Sequence, residues 1–301
     1  LLSLEEAASL VPEGALLGMG GFTIGRCPMA FTHALIRRGV GGLTLTGTNL
    51  SLPADLLIAA GQVAGVDAGT VSLGKAGLAH NYRRAAVRGE LRLEDNSHLG
   101  IISRFLAGEM GVPCMPVLAN RGTDIERAKL RAQPPSAALI PNPFAGRGGP
   151  GEMLLLPALR PDVSVLHVQE ADPEGNARIE GCAFGELEMA RASGRVILTA
   201  ERIVENEVFR REPGRASLAH IHVHAVAEAP WGAHPTGVYA CYQHDREHLA
   251  DYQRRARRGG AAMEEYLERY VYGVNTWEAY LSRALTPARR VALAREAREV
   301  M

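Results

Sequence analysis

Four glycines fall within Gly18-Met19-Gly20-Gly21-Phe22-Thr23-Ile24-Gly25, and that spacing carries chemical consequences. Lacking Cβ atoms, consecutive glycines let a carbonyl or oxyanion come close to backbone N–H donors. A dinucleotide fingerprint would need a third glycine where Thr23 stands, and an acidic ribose reader about 20 residues on. The next apolar segment instead ends in Gly47-Thr48-Asn49, so NAD is not indicated. Nor does the chain contain the Gly-x-x-x-x-Gly-Lys-Ser/Thr pattern of a phosphate-cradling loop. The stretch reads as a strand-to-helix turn whose N–H groups face the ligand-binding edge of a sheet. On this reading, Gly21→Val is expected to block a ligand while sparing the fold.

Two histidine groups come next. In a strand, His220, His222 and His224 of His220-Ile221-His222-Val223-His224 would point to one face. No carboxylate spacing completes a metal site around them, and no metal is expected. His234, in Trp231-Gly232-Ala233-His234-Pro235, is expected at a strand end, where it could reach the cleft. The acids Glu94, Asp95, Glu109, Glu170, Asp172 and Glu174 read as solvated helix and turn residues rather than an acid–base pair. Cys27, Cys114, Cys182 and Cys241 are too dispersed for a disulfide framework or a cysteine metal site.

These residues need a scaffold, and the pattern supplies one. Ser3 and Glu6 form a capping box ahead of a short helix. Apolar strand-like segments at Ala15–Met19, Leu43–Thr46, Val71–Leu73, Val163–Val168 and Val196–Thr199 alternate with helical ones at Pro53–Ala60, Asn81–Val87, Leu99–Met110 and Gly185–Ala192. Pro28 suits the first turn of one helix and Gly39 its end. Such alternation predicts an α/β fold: an open, mostly parallel sheet covered by helices. Arg131–Pro150 is rich in Pro and Gly and reads as loop, and Asp172–Asn176 as a turn. From Arg246 the chain becomes charged and helical. Met263, Tyr266, Leu267, Tyr270 and Val271 form one apolar stripe, Asn275 with Glu278 reads as a cap, and Thr286-Pro287 starts the last helix. The expected division is an α/β domain over 1–245 and a C-terminal helical layer over 246–301 packing on it.

Thirty-three basic residues balance thirty-three acidic ones. That gives no footing for sequence-independent nucleic-acid binding or for an anionic membrane surface. No apolar run reaches the ~18 residues a membrane-spanning helix needs, and Leu1–Glu6 does not read as a signal peptide. A cytoplasmic location is the default expectation. Lys75 and Lys129 are the only lysines; arginine supplies the remaining basic charge.

A family resemblance rests on an ordered set of motifs. They are Gly20-Gly21-Phe22-Thr23 with Arg26 and Pro28, Asn81-Tyr82-Arg83-Arg84, Gly111-Val112-Pro113-Cys114-Met115-Pro116, and Asn142-Pro143-Phe144. Asp162-Val163-Ser164-Val165-Leu166-His167, Asp172-Pro173-Glu174-Gly175-Asn176 and Ala229-Pro230-Trp231-Gly232-Ala233-His234-Pro235 complete it. In this order, up to about Tyr242, the chain resembles the family I coenzyme A transferases, and within them the A (alpha) subunits of glutaconate CoA-transferase type. The resemblance implies a ping-pong reaction and an α2β2 assembly with a B (beta) subunit. In that reaction an acyl-CoA is attacked by a glutamate of the B subunit, which passes through an anhydride and becomes a thioester. A second carboxylate then takes the CoA. The Ser-Glu-Asn-Gly context of that glutamate is absent here, so no catalytic residue is expected in this chain, which would be inactive alone. Gly20, Gly21, Phe22, Thr23, Asn49, Ser72 and His234 are the candidate substrate- or CoA-binding residues. The CoA thioester is substrate, and no permanent cofactor is implied. Many relatives carry a small residue where this chain has Glu109; whether Glu109 or His98 touches substrate stays open. A second implied reading is the A subunit of a ring-opening acyl-CoA hydrolase. A third, a non-catalytic ligand sensor on a related fold, would carry a DNA-reading helix-turn-helix, for which the N-terminal segment leaves little room.

Overall fold

A computed structural model describes residues 1–147 and 149–299. The strands in chain order are β1 (Leu16–Met19), β2 (Leu43–Gly47), β3 (Val63–Ala68), β4 (Arg92–Asp95), β5 (Cys114–Val117), β6 (Ala138–Pro141), β7 (Glu152–Pro157), β8 (Val163–Ala171), β9 (Ala177–Arg178), β10 (Arg195–Ile203) and β11 (Ala225–Glu228). The main sheet runs β11-β10-β8-β1-β2-β3-β4, with β9 added on β8. Every neighbouring pair along that path is parallel, and β9 alone runs antiparallel. The chain therefore builds outward from β1 in one direction and from β8 in the other. The boundary between β1 and β8 is the topological switch point, where an open α/β sheet opens a crevice at its carboxyl edge. The expected α/β architecture is present.

Burial on both faces explains the near-continuous apolar strands. In β8, Val163 through Gln169 are all buried. Helix α1 (Leu4–Ser9) starts with the predicted capping box at Ser3 and Glu6. Helix α2 (Met29–Arg38) ends at Gly39 in the left-handed conformation, φ 75°. Helices α3 (Leu52–Ala59), α4 (His80–Val87) and α5 (His98–Glu109) follow β2, β3 and β4 in turn. Helix α6 (Asp124–Arg131) precedes β6, α7 (Glu186–Ala192) joins β9 to β10, and α8 (Asn206–Arg211) follows β10.

Several expectations need correction. Val71–Leu73 is not a strand; the third strand is β3, whose Gly65 and Asp67 hid its pattern, and Val71 makes only a single bridge to Leu50. Arg131–Pro150 is not all loop: β6 lies inside it and joins β5 and β7 in an antiparallel three-stranded sheet, order β5-β7-β6. The prolines misled the reading, because an edge strand tolerates a Pro such as Pro141. His220–His222 forms a 3-10 turn, not a strand, and β11 begins only at Ala225. The three imidazoles therefore do not share a strand face.

The C-terminal segment is helical as expected: α9 (Arg246–Arg258), α10 (Ala261–Leu267), a π-helical turn (Glu268–Tyr272), α11 (Trp277–Ala284) and α12 (Pro287–Glu299). Thr276, rather than Asn275, caps α11, its hydroxyl accepting the Ala279 N–H at 3.2 Å. All five residues of the predicted apolar stripe are buried. They join β1, β2, α2 and α3 in one continuous core cluster. No helix among the described residues is long and apolar enough to cross a membrane.

Candidate functional site

At the switch point the turn after β1 packs against the segment leading into α7. The glycine turn is wound more tightly than its sequence suggests. The Gly20 N–H donates to Val165 O at 2.9 Å, and Phe22 and Gly25 exchange reciprocal backbone hydrogen bonds of 2.9 Å. The Gly21 N–H donates to Glu186 Oε1. The expectation that Gly20 and Gly21 present open donors to an oxyanion is thus not met; a strand carbonyl and a carboxylate occupy them. The glycines are required for other reasons. A Cβ on Gly20 would lie 2.6 Å from Glu186 Oε1 and 3.1 Å from Val165 O. Gly21 has φ +90°, and its Cβ would meet the Cys27 Cα at 2.9 Å. Valine at position 21 would therefore strain the fold itself, contrary to the sequence-based expectation.

Arg26 completes this turn from below. Its guanidinium pairs with Glu186 and donates to His167 O at 2.8 Å and Cys182 O at 3.2 Å. The two paired side chains are only 6% and 5% exposed, so each charge is compensated inside the protein. A second carboxylate, Glu201 near the end of β10, is equally occupied. It accepts the Trp231 N–H at 2.7 Å, the Gly232 N–H at 3.1 Å, a hydrogen bond from the His167 ring at 2.7 Å, and the Tyr242 hydroxyl. Burial and the neighbouring Glu201 push the Tyr242 phenol well above its ordinary value. Both carboxylates brace loops.

Above the turn lies an aromatic rim. Phe22 stacks on Phe184 with ring centroids 3.9 Å apart and planes 19° from parallel. His98, the first residue of α5, stands edge-on to Phe22 at 5.9 Å, and its Nε2 lies 3.2 Å from Thr70 Oγ1. Phe184 holds a left-handed backbone, φ 43°, while 45% exposed. A bulky residue in that region carries strain the surroundings must hold. Thr23 donates its N–H to Asn49 Oδ1 at 3.3 Å, and a Cβ on Gly74 would lie 2.9 Å from the Thr23 Cβ. Ser72 is tied to the same loops by its N–H to Leu50 O at 2.9 Å, and its Oγ accepts the Gly74 N–H at 3.1 Å.

The structure thus brings Gly20, Gly21, Phe22, Thr23, Asn49 and Ser72 into one set of loops at the carboxyl edge, together with His98. His234 is not among them. It is fully buried, with Nδ1 2.7 Å from the Tyr280 hydroxyl and Nε2 3.3 Å from Asp245. The strand-end loop turns it into the helical layer rather than into the cleft. Burial pushes its imidazole down, partly opposed by Asp245. Glu109 stays at its helix end and meets Arg191 at 3.4 Å. His220 lies against Asn176, and His224 Nδ1 accepts the Val196 N–H at 3.2 Å. Among the described residues no group of His, Cys, Asp and Glu has a metal-holding arrangement. Sequence reasoning missed Phe184 and Glu186. Only the Phe184-Gly185 pair ahead of a helix hinted at them, and nothing local linked them to residues some 160 positions away.

Comparison with known proteins supplies context. The coenzyme A transferase family model matches residues 1–229. An uncharacterized protein of Archaeoglobus fulgidus is 37% identical over 98% of this chain, which spans 65% of that protein's length. The A subunit of glutaconate CoA-transferase from Acidaminococcus fermentans is 28% identical over 94% of this chain and 91% of its own. The crystal structure of glutaconate coenzyme A-transferase from that organism superposes with a TM-score of 0.88 at 27% identity, covering 97% of this chain and 94% of the other. The crystal structure of a variant of the decarboxylase AibA/AibB matches with a TM-score of 0.74 at 34% identity over 89% and 98%.

Proposed function

Because the chain belongs to the coenzyme A transferase family, we propose that it is the A subunit of a heteromeric, glutaconate-type CoA transferase, assembled as α2β2 and acting on a small carboxylic or dicarboxylic acid. In the proposed reaction the thioester carbonyl is attacked by a glutamate of the B subunit, and CoA leaves as the thiolate. The thiolate then attacks the glutamyl carbonyl of the anhydride, releasing the first acid and leaving a glutamyl-CoA thioester. A second carboxylate repeats the sequence in reverse and departs as the new acyl-CoA.

The observation that carries this division of labour is the state of Glu186. The carboxylate at the glycine turn is already bound to the Gly21 amide and to Arg26. A nucleophile must instead present a free oxygen to a carbonyl carbon. This chain's part is therefore to form one wall of the crevice. Phe22, Phe184 and His98 form its rim, and Asn49, Thr23 and Ser72 hold the adjoining loops.

The test is turnover. The purified chain is assayed with an acyl-CoA and a carboxylate acceptor, first alone and then with the product of the neighbouring gene. Transfer is expected only in the mixture, and borohydride reduction of the thioester should label only the partner. Full turnover by this chain alone would refute the assignment. Release of free acid independent of the acceptor would place the complex with ring-opening acyl-CoA hydrolases instead.

A further inference from the structure

Two cavities share one lining residue, His244, and the second of them touches the glycine turn. The first, about 470 Å³, is lined by Lys75, Ala76, His244, Arg246, Leu249 and Ala250. The second, about 200 Å³, is lined by Ile24, Gly25, Val238, Tyr239 and Tyr242 among others, and His244 borders both. One end of this groove is basic and the other largely apolar. The second cavity touches Gly25, which bridges to Phe22 in the turn itself.

The basic end holds charge with no internal use. Among the described residues, neither Lys75 nor Arg246 forms an ion pair. The two acids beside Arg246 are engaged elsewhere. Asp245 faces His234 and Arg289 at 3.3 and 3.1 Å, and Glu247 faces Arg289 at 3.7 Å. His244 lines the same cavity as the two cations, and burial followed by the fields of Lys75 and Arg246 pushes it down to about 4, against the opposing pull of Glu296 and Asp245. It is neutral at pH 7 and offers a hydrogen bond without adding charge. Lys75 is one of only two lysines in a chain otherwise basic through arginine. A compact ammonium and a forked guanidinium converging on one cavity suit a phosphate group.

We propose that Lys75, His244 and Arg246 bind a phosphate of the nucleotide end of a coenzyme A thioester, and that the Ile24–Tyr239 cavity takes its pantetheine arm. The assignment rests on the CoA-transferase reading and adds a location and an orientation. The nucleotide sits against α9 and the segment after β3, and the thioester end is directed along Gly25 toward the crevice.

Calorimetric titration of this chain tests it, with CoA, adenosine 3′,5′-bisphosphate and inorganic phosphate as probes. Lys75→Gln and Arg246→Gln alter exposed side chains, so unchanged thermal midpoints verify that the variants fold. CoA and the bisphosphate are expected to bind the wild type and to bind each variant roughly tenfold more weakly, as befits loss of one charge-assisted contact. Affinity should also fall with added salt. Equal CoA affinity in the double variant, or no CoA binding by the wild type, overturns the proposal. Inorganic phosphate binding as tightly as CoA would reduce the cavity to an anion site and overturn it too. Transfer activity with the partner is measured separately, so the functional reading can stand or fall without this one.

Discussion

Glu186 accepts the Gly21 backbone N–H on one carboxylate oxygen while the other oxygen binds the Arg26 guanidinium. One acid thereby ties β1's turn to the start of α7 across the switch point. Removing either partner leaves a buried charge uncompensated, which costs about 3–5 kcal/mol. Arg26→Met and Glu186→Met should each lower the unfolding free energy by an amount of that order, with a matching fall in the denaturant midpoint. The double variant should be far less destabilised than the sum, because it buries no lone charge. Urea unfolding of all three variants checks this; simple additivity would show that the pair is not coupled.

The glycine turn makes a sharper test because two of its glycines differ. Gly21 combines φ +90° with a Cβ position 2.9 Å from the Cys27 Cα, whereas a Cβ on Gly25 would have only the Phe22 carbonyl at 3.4 Å as a near neighbour. Gly21→Ala is expected to cost at least about 1–2 kcal/mol from the left-handed backbone alone. Gly25→Ala should change stability by less than about 1 kcal/mol. Thermal melts of the two variants side by side decide it. Equal losses would mean that the turn relaxes around a side chain.

Period and punctuation made the centre of the main sheet, β1, β2, β8 and β10, legible. Runs such as Val163–Val168 are buried on both faces and read as strands without context. The C-terminal stripe was legible because Tyr266, Tyr270 and Val271 recur at helical spacing and all face the core. β3, β4 and β6 were not: Gly65 and Asp67 interrupt the first, three of the four residues in Arg92–Asp95 are charged, and prolines surround the last. The site was half legible. The turn's position followed from its glycines, but the use of its N–H groups depended on Glu186, whose link to Gly21 spans 165 residues. His234 shows the converse. A strand-end loop suggested the cleft, yet Tyr280 and Asp245, from helix and loop segments later in the chain, hold the ring inside.

Phe184 separates stability from function. Replacing it with glycine relieves about 1–2 kcal/mol of left-handed strain but forfeits about 0.5–1.5 kcal/mol of stacking on Phe22, the burial of the covered part of the ring and the restraint a side chain places on the unfolded chain. The relief offsets only part of the loss, so the thermal midpoint of Phe184→Gly should fall by a few degrees. If the rim contacts the acyl group, the KM for acyl-CoA in the reconstituted complex should rise about tenfold, the equivalent of about 1.4 kcal/mol of lost contact. Steady-state kinetics on the complex measure this. An unchanged KM would leave the stacked pair without a role in binding.

The helical layer should make the protein sensitive to acid. His33, His234 and His248 are buried together, His234 and His248 with ring centroids 5.2 Å apart and His33 packed on Trp277 and Tyr280 at 5.3 and 4.7 Å. Burial pushes all three down, His248 to about 3 and His33 well below its ordinary value, with Arg37 and the other two histidines adding to the effect on His33. The unfolded chain therefore binds more protons than the native one once the pH drops below about 6.5, the unperturbed imidazole value. Stability is complete above that pH and falls as acid is added, by up to about 1.4 kcal/mol per pH unit for each histidine, down to its native value. The groups facing this cluster do not reverse the sign. Asp245 is held well below the usual carboxylate range by His234 and Arg289 despite burial, and Arg37 and Arg289 oppose a further positive charge. His33 is the position to change, because neither ring nitrogen has a well-aligned partner. His33→Phe keeps the ring packing and removes an unsatisfied polar group, whose burial costs about 1–3 kcal/mol. The variant should be more stable at pH 7 and should lose stability less steeply between pH 6.5 and 4. Urea midpoints across that range test both parts: a parallel pH profile would show that His33 takes up its proton in the native protein as readily as in the unfolded chain, and a lower midpoint at pH 7 would show that the ring nitrogens have a partner worth keeping.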